Sequence, residues 1–196
     1  TEQNPRRELG AAAGLAASAR ALRGYDEALA AECLAVAKSI WDTTDESAVP
    51  APPWAKERPS ARIGLAVELL VTTGDRRYAD YLVGQREAIV KSIKSTGWVV
   101  GRALPLLGDA AFTGAITEAV KAYRAEVLEL EKKTPYGVPY APDVWGAGWG
   151  IQGFGMEQYF LHTSFPEIFP KEGMLHALDV EVGFERIDLP TEGVTP

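Results

Sequence analysis

The sequence predicts an all-α fold of stacked αα-hairpins, and three observations carry that reading. Apolar residues recur at three- and four-residue steps over long runs, the signature of amphipathic helices. A glycine followed at once, or after one residue, by aspartate closes one run and opens the next at Gly24, Gly74 and Gly108. Strictly alternating apolar and polar stretches, which would mark strands, are nearly absent.

The elements follow in order. Residues 6–23 place Leu9, Ala12, Ala13, Ala16, Ala19 and Leu22 at helical steps, and Gly24 stops the run. A second helix starts at Tyr25-Asp26 and passes through Leu29, Cys33, Val36, Ala37 and Ile40 to Trp41. Glycine suits the left-handed residue after a helix, and aspartate suits the N-cap of the next. The connector 43–60, TTDESAVPAPPWAKERPS, is polar and proline-rich and is expected to be irregular. Ile63, Val67 and Leu70 then share a face up to Gly74; Asp75 opens a helix expected to carry Tyr78, Tyr81, Leu82, Ile89 and Ile93. A third pair runs from Trp98 to Leu107, turns at Gly108-Asp109, and continues through Phe112, Ile116, Val120, Tyr123 and Leu130. In the fourth, Ile151–Leu161 is apolar almost all round, which predicts a central, buried helix. The stretch 164–173, SFPEIFPKEG, reads as a proline-bounded turn, with a short helix from Met174 to about Val182. The turns lie 50 and then 34 residues apart, too irregular for a tetratricopeptide array, so a solenoid and a closed toroid both remain open.

With 196 residues, 46% of them hydrophobic, the chain can bury the core of a single helical domain, expected to span 1–196 with residues 180–196 as an extended tail. No apolar run reaches membrane-spanning length, and no charged-then-apolar leader is read at the N-terminus, which opens with Thr1-Glu2-Gln3-Asn4-Pro5; a mature exported protein would read the same way. The single Cys33 excludes an internal disulfide and a multi-cysteine zinc site; it reads as a small buried hydrophobe. The charge of −7 is uneven. Residues 1–133 hold 18 acidic and 18 basic side chains, whereas 134–196 hold 9 acidic and 2 basic, with 10 of the 18 aromatic residues. An acidic, aromatic surface repels phosphate backbones, which argues against nucleic acid as a partner. It suits neutral polyhydroxylated ligands or cations.

One stretch stands apart: TPYGVPYAPDVWGAGWGIQGFGMEQYFLH, residues 134–162, joins an aromatic, proline- and glycine-rich loop to an apolar helix. Aromatic rings stack on the apolar faces of pyranose sugars while polar neighbours take the hydroxyls. Tyr136, Tyr140, Trp145 and Trp149 are the candidate substrate-binding residues, on a loop stiffened by Pro135, Pro139 and Pro142. The competing reading makes Trp145 and Trp149 hydrophobic plugs beneath the loop.

This stretch resembles family nine glycoside hydrolases, cellulase-like enzymes with an (α/α)6 barrel, and in particular the bacterial branch that carries an immunoglobulin-like domain ahead of the catalytic one. The matching residues are Pro135–Pro139, Trp145-Gly146 and Phe165-Pro166; hairpins such as TGDRRYADYL (73–82) fit less specifically. The resemblance implies four of six hairpins across roughly 6–179, with the remaining hairpins as an expected partner. It implies an extracellular or periplasmic location, β-1,4-glucan or a related polysaccharide as ligand, and inverting hydrolysis in the parent family. That chemistry takes an acid and a base carboxylate and no cofactor. The family's base lies in an Asp-x-x-Asp segment near the start of the barrel and its acid is a glutamate far downstream; this chain is expected to hold neither. Beyond Asp179 the text VEVGFERIDLP departs from the family pattern.

The catalytic residues are therefore left unassigned, and a noncatalytic carbohydrate-binding or scaffold module is the rival to a hydrolase-like domain. Asp143, Glu157 and His162 are secondary candidates for polar contacts with substrate. Each has a plainer reading: Asp143 as a loop hydrogen-bonder, Glu157 and His162 as satisfied polar groups of the helix. His162 and His176, fourteen apart without a third partner, make no convincing metal site.

Overall fold

The computed structural model describes residues 4–49, 59–134 and 147–176, with the side chains of 147–152 left aside. Every regular element among the described residues is helical. Its contacts group into two compact units, Thr1–Ile116 and Thr117–Pro196.

In the first unit, α1 (Pro5–Leu22) and α2 (Glu27–Thr43) form a hairpin. Asn4 caps α1 by accepting from the Arg7 amide at 3.1 Å, and Pro5 occupies the first turn, where no amide hydrogen is needed. The buried side of α1 is mostly alanine (Ala12, Ala16 and Ala19, with Leu9), and small side chains let α2 and α3 both approach it closely. The hairpin turn is built as its sequence requires. Gly24 takes φ +83°, and Asp26 accepts from the Leu29 amide at 3.0 Å while Glu27 reaches back to the Gly24 amide at 2.7 Å.

The connector is less irregular than expected. Asp45 caps a 3-10 turn, Glu46–Ala48, and Glu46 is then shared by Arg6 at 2.8 Å and the Ala61 amide at 3.1 Å. The carboxylate takes one unpaired amide at the start of α3 (Ala61–Thr73), and the Ser60 hydroxyl takes the next, from Arg62 at 3.2 Å. Residues 50–58 lie outside the described residues.

Helix α3 is the buried centre of this unit: Ile63, Leu65, Ala66, Val67, Leu69, Leu70 and Thr72 are all buried, around more than half of the helix, and Gly64, Glu68 and Val71 on the remaining side are half-buried. It packs on α1, α4 and α6. Its polar residues are matched to partners. Glu68 receives Arg20 of α1 at 3.0 Å and Arg102 at 2.7 Å, and Thr72 donates to the Ala16 carbonyl at 3.0 Å while accepting from Arg20 at 2.8 Å. Charge-assisted bonds of this kind fix the helices in register as well as adding stability.

Gly74 (φ +70°) donates to the Leu70 carbonyl and Asp75 caps α4 (Arg76–Gly84). The helix expected to run on through Ile93 is instead interrupted. α4 ends at Gln85, α5 covers Arg86–Lys91, and Ile93 opens α6 (Ile93–Gly101). At the second break the Ser92 hydroxyl bonds back to the Ala88 carbonyl at 2.7 Å, the local competition that weakens helices at serine. The expected Trp98–Leu107 helix is likewise split into the end of α6 and the short α7 (Leu104–Leu107), with Pro105 at the new start. Trp41 ties α2 to α4, meeting Tyr78 and Tyr81 edge-on at 5.1 and 5.0 Å, with the Arg62 guanidinium 4.2 Å above its ring.

Gly108 (φ +65°) and Asp109, which accepts from the Phe112 amide at 2.7 Å, lead into α8 (Ala110–Lys133). Its first turns bury Phe112 and Ile116 in the first unit. In the second unit the remainder of α8 contributes Tyr123 and Val127, which pack with Phe154 of α9 (Ala147–Ser164). A turn over 165–170 follows, then α10 at 171–176, three residues earlier than expected. The expected tail, 180–196, lies outside the described residues.

Candidate functional site

Helix α9 has two different sides. Phe154, Gln158 and Leu161 are buried; Met156 and Tyr159 are 60% and 50% exposed, and nothing lies within 4 Å of where a Cβ on Gly153 would stand. The expectation of burial all round is therefore corrected. An apolar sequence does not oblige every apolar side to be covered, since much of any protein surface is apolar. Trp149 falls within the residue range of this helix, and its side chain lies outside those described. Tyr136, Tyr140, Asp143 and Trp145 lie outside the described residues, as does the side chain of Trp149, so the structure neither brings these five candidates together nor separates them.

Glu157 sits on the flank of α9, half buried, and makes no hydrogen bond or ion pair among the described residues. Burial raises its carboxyl pKa to about 7. The Tyr123 hydroxyl is also pushed well up, first by burial and then by the negative charge of Glu157 and Glu126. Glu157 can therefore be a neutral hydrogen-bond donor near neutral pH, a property that an exposed carboxylate lacks. Beside it, the Gln158 side chain is 1% exposed and its amide nitrogen has no partner among the described residues.

His162 is placed for a structural task. Its Nδ1 lies 2.8 Å from the Phe169 carbonyl, which can only accept, so the ring carries its proton on Nδ1 and closes the turn over 165–170. Sequence reasoning missed the residue that organises the other side of this turn. Arg124 lies over the Phe169 ring at 5.3 Å and reaches Glu131 at 3.6 Å; Tyr123 meets the same ring at 6.0 Å. A Cβ on Gly173 would come within 3.0 Å of the Arg124 guanidinium. The available signal was slight: a single arginine beside a tyrosine in a largely apolar stripe, and a glycine two turns beyond the Phe-Pro pair.

The expected absence of an Asp-x-x-Asp segment also needs correction. The bare spacing occurs at Asp42-Thr43-Thr44-Asp45. Both carboxylates are engaged in holding the fold: Asp42 pairs with Arg77 at 3.1 Å, and Asp45 accepts from the Ser47 amide at 2.9 Å and its hydroxyl at 2.7 Å. Among the described residues no three histidines, cysteines or carboxylates gather closely enough to hold a metal ion, and no helix is long and apolar enough to cross a membrane.

No family model and no curated protein matches the chain. A solved structure does: the crystal structure of a metagenome-derived glycoside hydrolase family 9 endoglucanase, at 23% identity and a TM-score of 0.63. The match covers 89% of this chain and 36% of that one, so the chain spans about a third of the enzyme's length. The fold is related to that of six-hairpin glycosidases. The all-α, stacked-hairpin architecture read from the sequence is thereby found, as a distant and partial likeness to a family nine enzyme.

Proposed function

We propose that this chain is a glycoside hydrolase-like domain that binds β-1,4-glucan or a related polysaccharide through the aromatic loop and the open side of α9. The observation that carries the reading is that α9, the helix into which the aromatic sequence runs, leaves one apolar side uncovered, with Met156 and Tyr159 exposed. The likeness to an endoglucanase supports a sugar as the flat ligand, and the excess of acid over base in 134–196 supports a neutral one. Tyr136, Tyr140, Trp145 and Trp149 are the proposed sugar contacts, with Asp143, Glu157 and His162 as lower-ranked polar contacts. His162 is the weakest of these, since one ring nitrogen is already engaged.

Membership of the branch with an immunoglobulin-like domain, and an extracellular or periplasmic location, are parts of the same proposal. So is inverting hydrolysis by a more complete barrel. The rival reading, a noncatalytic binding or scaffold module, is favoured by the engagement of Asp42 and Asp45 in structural bonds.

Titration of intrinsic tryptophan fluorescence with cellohexaose tests the binding. A saturable change at millimolar sugar is expected, abolished by Trp145→Ala and weakened by Trp149→Ala or Tyr140→Ala. A flat wild-type signal at those concentrations would overturn the proposal.

A further inference from the structure

We draw no further inference here: the strongest candidate, the open apolar patch of Tyr25 in the turn before α2 with Leu29 and Val36 along that helix, is an exposed face for which nothing in the structure shows what covers it.

Discussion

Glu157 gives the second unit a pH dependence whose sign follows from burial. Its carboxyl is raised from an ordinary 4.5 to about 7, so the folded state holds a proton that the unfolded state releases. Its stabilising contribution is complete below about pH 4.5 and is lost as pH rises through about 7; above that, ionised in both states, it no longer varies. Glu157→Gln should remove this slope. The variant should match the wild type near pH 4 and exceed it by about 1–2 kcal/mol at pH 8, a figure already reduced for partial exposure. Urea unfolding of both proteins at pH 4, 6 and 8 measures the difference; equal slopes would mean that the carboxyl finds a compensating partner. Arg124 and Gly173 supply a second test. Alanine at 173 gains about 0.5–1 kcal/mol of helix propensity but must displace a guanidinium held by Phe169 and Glu131. Gly173→Ala should therefore be close to neutral in the wild type and stabilising by about 1 kcal/mol in an Arg124→Ala background. A thermal double-mutant cycle reads this coupling, and additive effects would contradict the contact.

The helices show how much of the fold was legible and why the rest was not. Hairpin turns were readable because each draws on a short list of residue types: glycine where φ is +83°, +70° or +65°, and a short polar residue, here aspartate, where an amide needs a cap. The breaks at Gln85 and Ser92 were not readable, because neither residue forbids a helix; tertiary packing decides there, with Ile89 and Ile93 both buried across the second break. The side of α9 that faces outward was equally hidden, since Met156 and Tyr159 look like core residues by composition. Glu157 was visible as a carboxylate on an apolar helix, but its lack of a described partner was not. The glycines allow a paired test at this scale. Gly74 and Gly64 both have open space where a Cβ would go, but only Gly74 has positive φ. Gly74→Ala should cost about 1–2 kcal/mol for the left-handed backbone alone. Gly64→Ala, within α3, should gain about 0.5–1 kcal/mol. Opposite shifts in denaturation midpoint are expected, and a loss at Gly64 would place a neighbour closer than the structure does.

For the molecule as a whole, the question is whether a hydrolase-like fold hydrolyses. Glycosidic cleavage by inversion takes a general acid and a general base on opposite sides of the bond, far enough apart to admit a water. Of the carboxylates considered for catalysis and described in the structure, Asp42 and Asp45 serve the connector and its neighbouring arginine, and only Glu157 combines partial burial with an unused carboxyl. One such group can donate a proton, but it cannot also activate water on the opposite face. The chain by itself should therefore release no appreciable reducing sugar from soluble β-glucan, even where fluorescence shows that cello-oligosaccharide binds. Binding without turnover would favour the module reading. Turnover within a few-fold of a complete endoglucanase would show that a second carboxylate acts with Glu157, and Asp143 is the one to test with it. In that case Glu157→Gln should remove activity while leaving the fluorescence titration intact, which separates a proton donor from a residue that merely holds the sugar.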